Sequence, residues 1–356
     1  MKKFLTLLVI ANVFFVSSYS QKERAIWSKK KAKEWYSEKG WLCGSNFTPS
    51  SAINQLEMWQ KETFDSITID RELGFAENIG MNVMRVFLHH VAWQQDPIGF
   101  KDRMNTYLGI ADKHHISTMF VIFDDCWNDN YQGGTQPVPK IGVHNSGWLR
   151  DPGTRYRTEP ELSDTLEKYV KDIMSTFRHD KRILLWDVYN EPGNSGYENK
   201  SIPLLKKVFV WGRQANPDQP LSSGIFSEDM KELSNVQLTN SDVITYHNYS
   251  EEKDHERLID SLQKFGRPLI CTEYMARTRG SRFDNIMPLL KQKNVGAINW
   301  GFVSGKTNTI YAWDAPMPDG AEPKTWFHDI FRKDGTAFSN DEIKLIKSLT
   351  EKKQID

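Results

Sequence analysis

Between residues 41 and 301, short apolar β-rich runs alternate with amphipathic stretches, and this alternation constrains the fold more than any other feature of the chain. The runs are 41–46, 82–88, 117–124, 183–190, 220–226, 243–247, 268–273 and 295–301, eight in all. Segments such as 67–79, 161–177, 202–214 and 254–265 lie between them and carry apolar residues at helical spacing. Strands that each feed a helix lie parallel, because the helix carries the chain back to the starting edge. Eight such units fit a closed ring, so the expected fold is α/β, a (β/α)8 TIM barrel in a single domain over residues 21–356. No low-complexity linker, charge block or 20–50-residue repeat divides it.

The longest break in the pattern runs over 125–158 and follows the third run. A loop of that length in a compact domain is usually functional or disordered. Its Trp127, Tyr131 and Trp148 predict an ordered lid over the strand ends. The tail, 326–355, predicts helices that close the barrel.

Residues 1–20 read as a secretory signal peptide: Met1-Lys2-Lys3, an apolar run over 4–16, then small polar residues to Ser20. The apolar run is too short to span a bilayer, and no Cys follows Ser20 to carry a lipid. The expectation is a periplasmic or secreted protein with no membrane span. Lys+Arg and Asp+Glu both number 46, so no basic surplus advertises a nucleic-acid partner. Export permits disulfides, yet of Cys43, Cys126 and Cys271 at most two can pair. Two of the three fall in apolar runs, which predicts buried free thiols. Twelve Trp are an unusual number; Trp is a core residue by default, yet an excess also suits sugar binding, because indole faces stack on the apolar faces of sugar rings.

In a barrel of this kind, chemistry lies at the C-terminal ends of the strands. Two glutamates sit there: run 183–190 ends in Asn190-Glu191-Pro192, and run 268–273 ends in Glu273. Cleavage of a glycosidic bond needs two carboxyls in unlike environments, one protonated to assist the leaving oxygen and one ionised across the anomeric carbon.

The ordered set Arg85, Asn190-Glu191-Pro192, His247-Asn248-Tyr249, Glu273 and Trp300 resembles glycoside hydrolase clan A, nearest to family 5, over essentially the whole mature chain. The resemblance implies a retaining hydrolase of β-linked oligo- or polysaccharides, with Glu191 as acid/base and Glu273 as nucleophile and no cofactor or metal. It further implies that Asn190 holds the sugar 2-hydroxyl, Tyr249 donates to the nucleophile, His247 orients a carboxyl or the substrate, and Trp300 floors the subsite. Arg85 would keep Glu273 ionised, whereas Glu191 would need a raised pKa. Members of the family often carry a His after the third strand, where this chain has Asp124-Asp125-Cys126-Trp127. Asp124 or Asp125 is then expected to bind a hydroxyl and Trp127 to stack on a sugar.

Asp124, Asp125 and Asp129 do not follow the spacing of a Ca²⁺ loop. His89-His90 and His114-His115 are not spaced as zinc ligands, though His89 is near enough to Arg85 to reach the pocket. Gly305-Lys306-Thr307 lacks the earlier glycines of a phosphate loop. Its position after the eighth run instead places Lys306, with Trp313, over the pocket. The partner that the resemblance implies is a β-linked glycan, such as a glucan, mannan, xylan or galactan. Two rivals share these residues, a transglycosylase with the same site and a non-catalytic glycan-binding barrel. The presence of both Glu191 and Glu273 weighs against the second. Oligomeric state is not legible.

Overall fold

The computed structural model describes residues 23–351; the leader expected over 1–20 lies outside the described residues. Eight strands, β1 Cys43–Asn46, β2 Val83–Phe87, β3 Ser117–Val121, β4 Ile183–Asp187, β5 Leu221–Ser222, β6 Ile244–His247, β7 Leu269–Glu273 and β8 Gly296–Asn299, form one sheet in the order β5-β4-β3-β2-β1-β8-β7-β6. Every paired neighbour runs parallel. The ring closes between β5 and β6 through the Ile225–Tyr246 bridge, with Ile225 donating to Thr245 O and His247 donating to Ile225 O. β5 keeps only two ladder residues because the chain leaves the strand at Ser223-Gly224 before returning at Ile225.

Side-chain alternation divides the strand residues between two cores. Val83, Met119, Leu185, Ile270 and Ile298 form an inner cluster that Trp27, Ala32 and Tyr36 close, the last two on helix Lys29–Ser37. Met84, Phe120, Trp186, Tyr246 and Cys271 face the helix layer instead. The helices expected over 67–79, 161–177, 202–214 and 254–265 are Ser66–Asn78, Leu162–Thr176, Ile202–Ala215 and Glu252–Gln263. Their starts are set by ordinary capping chemistry, as where Asp65 accepts from Thr68 N at 3.0 Å. Among the described residues, no helix is long and apolar enough to cross a membrane.

The inner face continues upward as polar residues: Arg85 above Val83 and Asp187 above Leu185. On β7, strict alternation from Ile270 would turn Glu273 toward the helices. The pairing shifts there, from Tyr246 opposite Cys271 to His247 opposite Glu273, leaving Thr272 unmatched. This one-residue bulge returns Glu273 to the barrel mouth. Segment 125–158 does fold over the strand ends, tied by the Asp124–Asp151 and Asn128–Leu149 bridges. The tail corrects its expectation. Among its described residues only Asn340–Thr350 is helical, and 326–338 is irregular chain that turns through Asp334-Gly335, where Arg332 N donates to Thr336 O.

Candidate active site

A cavity of about 850 Å³ opens at the C-terminal ends of the strands, and Glu191 and Glu273 both line it. Oxygens of the two carboxyls and a ring nitrogen of His247 lie within 4.8 Å of one another. Arg85 fixes Glu273 from below. It is wholly buried, its Nη1 donates to Glu273 Oε1 at 2.9 Å, and its Nε and Nη2 donate to Asp187 Oδ2 at 3.0 and 2.8 Å. The same guanidinium donates to Asn46 Oδ1 at 2.8 Å and to Asn190 Oδ1 at 2.6 Å, so one side chain ties β1, β2, β4 and β7 together under the site. Tyr249 OH donates to the other Glu273 oxygen at 2.8 Å. Burial and the Glu273 charge push the Tyr249 phenol far up, which keeps it a donor.

Glu191 is held on a strained turn. Its φ is +41°, a left-handed conformation that a non-glycine residue rarely adopts, and the residue before a proline is ordinarily extended. Asp125 secures that turn: its carboxylate accepts from Tyr189 OH and from Gly193 N, both at 2.8 Å, and from Ser201 OH. Burial raises Asp125 to about 6 against those three donors. Asp125 is therefore a buried anchor, wholly covered and outside the pocket lining, rather than the hydroxyl-binding carboxylate expected from the sequence. Asp124 is also buried; it accepts from Trp148 Nε1 at 2.7 Å and Asn190 Nδ2 at 2.8 Å, and burial raises it to about 7.

Around Glu191, His247 Nδ1 lies 2.7 Å from Oε1, the Cys126 thiol donates to Oε2 at 3.3 Å, and Asn194 Nδ2 also donates to Oε2. Burial pushes the Glu191 carboxyl up, but the bond to His247 and its charge, with Cys126 and Asn194, outweigh it and hold the group low. Glu273 is raised: burial leads, and the Glu191 charge adds to it against His247 and Arg85. This reverses the order expected from the sequence. The reason is His247, which sits 2.7 Å from Glu191 and 3.5 Å from Glu273, so its hydrogen bond serves the former.

Of the other expected residues, Asn190, His247, Tyr249, Trp300, Trp127 and Trp313 line the cavity. Trp127 is 36% exposed, the state a sugar platform requires, whereas Trp59, Trp186 and Trp326 are core. Arg85 does not reach the cavity and acts through Glu273 and Asn190. Lys306 is a correction: it pairs with Glu57 on helix Gln55–Trp59 and lies outside the lining. His89 does not reach the pocket; with His90 and Asp151 it forms a buried clasp beneath Tyr131. Both His89 nitrogens there are engaged, by Arg150 O and Val91 N, which leaves no lone pair for a metal. Neither metal-competent grouping found among the described residues involves Asp124, Asp125 or Asp129. The three cysteines are free, but Cys126 is half-buried in the pocket wall rather than in the core.

Sequence reasoning missed Asp187, Asn194, Cys126, Asn145 and His328. An Asp inside the apolar run 183–190 was a readable signal for the first. The rest sit in loops, where sequence position carries little spatial information.

The fold and site together define a (β/α)8 barrel with a buried carboxylate pair at its C-terminal mouth. No family model matches the chain, and no curated protein matches it in sequence. Solved structures do share its fold. An endo-beta-1,4-mannanase from Thermotoga petrophila is similar at TM-score 0.59 and 15% identity over 89% of this chain and 77% of its own. A glycoside hydrolase family 5 mannosidase from Rhizomucor miehei is similar at TM-score 0.56 and 12% identity over 87% and 92%. A third, GH5_18 from Streptomyces cattleya in complex with GlcNAc, is similar at TM-score 0.58 and 11% identity over 87% and 79%.

Proposed function

We propose that the protein is a retaining glycoside hydrolase that cleaves β-linked glycans by double displacement. The observation that carries this reading is the approach of the Glu191 and Glu273 carboxyl oxygens to within 4.8 Å across the cavity. Retaining enzymes hold their carboxyls roughly 5–5.5 Å apart, whereas inverting ones leave roughly 6.5–9.5 Å for a water. The similarity in fold to family 5 hydrolases supports the same class; a shared fold alone does not fix activity.

Roles follow from position. Glu273, clamped by Arg85 and Tyr249, has both oxygens oriented by donors and attacks the anomeric carbon as a carboxylate. Glu191 gives its proton to the leaving oxygen, and then takes one from the water that opens the glycosyl-enzyme. A glycosidic oxygen beside Glu191 accepts a hydrogen bond from the protonated carboxyl, which favours the proton there over Glu273. Asn190, positioned by Arg85 and Asp124, presents its amide to the cavity beside the pair, where a sugar 2-hydroxyl would lie. Export to the periplasm or medium rests on the leader over 1–20, and N-terminal sequencing of protein recovered from those fractions tests it.

A panel of β-linked gluco-, manno-, xylo- and galacto-oligosaccharides identifies the substrate. With it in hand, Glu273→Ala should abolish turnover, and added azide should restore it as a glycosyl azide of inverted configuration. Glu191→Ala with azide should give the retained product. Full activity in Glu273→Ala would show that another group attacks.

A further inference from the structure

We propose that Asn145 and His328 form a hydroxyl-binding corner on the Glu273 side of the cavity that receives the non-reducing terminal sugar of a β-linked chain. The inference rests on the glycosidase reading above and specifies which end of the substrate the site takes.

Both residues line the cavity, and both carry polar atoms that nothing in the protein satisfies. Asn145 is 1% exposed, yet neither its Oδ1 nor its Nδ2 has a partner. A buried polar group left unpaired loses its hydration with nothing in return, so an amide orphaned at both atoms is retained at a cost to stability. Its place is fixed all the same. Asn145 N donates to Thr307 O at 2.8 Å, its carbonyl accepts from Trp148 N at 3.0 Å, and its φ is +45°. His328 is fully buried, and its Nδ1 donates to Met275 O at 2.5 Å, which leaves Nε2 as a bare acceptor with no partner. Burial, with His144 alongside, holds its pKa far down, so the ring stays neutral.

Asn145 follows His144, whose ring lies 5.3 Å from that of His328, and an amide with two donors and one acceptor that lines the same cavity as a neutral acceptor fits groups that both donate and accept. Sugar hydroxyls do so, while a carboxylate or phosphate would face the Nε2 lone pair. The ring of His328 lies 5.7 Å from that of Tyr249, whose hydroxyl holds Glu273, so the corner belongs to the sugar that Glu273 attacks rather than to the leaving group. The loops after β3 and β8 join on this side. Asn145 bonds Thr307, His144 Nδ1 bonds Tyr311 O at 2.8 Å, Asn308 Nδ2 donates to Lys140 O at 2.9 Å, and Met317 N donates to Gly142 O at 2.9 Å. A longer chain would have to pass through that seam, so the sugar seated here is the last one.

The test is a titration of the Glu273→Gln protein, followed by Trp fluorescence, with β-linked disaccharides of glucose, mannose, xylose and galactose. The tightest binder is then compared with its 2-, 3-, 4- and 6-deoxy forms at the non-reducing sugar. Removing one of these hydroxyls should weaken binding by about tenfold, the worth of one neutral hydrogen bond to a buried partner. Asn145→Ala and His328→Phe, made on the Glu273→Gln background, should weaken the parent sugar similarly, and in Asn145→Ala one deoxy form should bind as well as its parent. The deoxy series needs no mutation at the corner, so it decides the matter even where a variant folds poorly. Absence of binding by all the disaccharides, or deoxy penalties that persist unchanged in Asn145→Ala, would overturn the proposal. Binding with the expected dependence in a wild-type protein that hydrolyses none of these sugars would leave the corner standing and defeat the glycosidase reading.

Discussion

Replacing Arg85 by Met removes a cation that donates five hydrogen bonds from a wholly buried position, while keeping most of the side-chain volume. The change leaves Asp187 and Glu273 in the barrel without their shared counter-charge. Breaking a buried pair by removing one partner costs about 3–5 kcal/mol, a large part of the roughly 5–15 kcal/mol that holds a domain folded. At about 2–4 °C per kcal/mol, Tm at neutral pH should fall by roughly 6–20 °C. The loss depends on pH, with a definite sign. Burial already raises Asp187 and Glu273, and Arg85 is among the groups that oppose it, so both rise further in the variant. An acid raised in the fold is favoured as its neutral form; that advantage is complete below the unfolded carboxyl range and is lost as pH climbs through the folded value. The Tm deficit should therefore be widest above neutrality and narrow as pH falls through the carboxyl range. Activity should drop by about a hundredfold or more, because Glu273 loses both orientation and charge. Differential scanning fluorimetry of both proteins across pH, beside initial rates, measures this. A deficit that does not change with pH, or an active Arg85→Met, would refute the reasoning.

Cys126→Ala removes a thiol donor that lowers Glu191, so the acidic limb of the kcat/KM profile, set in the free enzyme by the lower of the two carboxyls, should move to higher pH; an unmoved limb would separate Cys126 from the chemistry. Lys306→Ala should leave kcat/KM within about twofold, since Lys306 pairs with Glu57 in a half-buried ion pair outside the cavity. A large loss would return Lys306 to the site.

Much of this architecture is legible in the sequence, because period-2 and period-3.6 patterns record which side of an element is buried. The same logic located Glu191 and Glu273, since a charged residue ending an apolar strand run has few structural uses. It failed where the deciding contact is distant in sequence. Asp125 looks like any loop acid until Tyr189, Gly193 and Ser201 close on it. Lys306 follows the eighth strand, but Glu57, nearly 250 residues earlier, claims it. Asn145 and His328 line one cavity only because two long loops are bonded together, and nothing in either segment announces the other. The proton order between the two glutamates was misread for a similar reason: Arg85 was visible as the partner of Glu273, but the bond from His247 to Glu191 was not. The tail could have been read better, because Asp334-Gly335 is a turn signal that argues against a helix through that stretch.

The claim on which the mechanism depends is that Glu273 attacks the sugar directly, and the anomer first released reports on it most directly. Proton NMR of wild-type enzyme acting on a β-linked substrate, read before the sugar mutarotates, should show the β-anomer appearing first, as two successive inversions require. First appearance of the α-anomer would mean a single displacement by water, and would contradict the account.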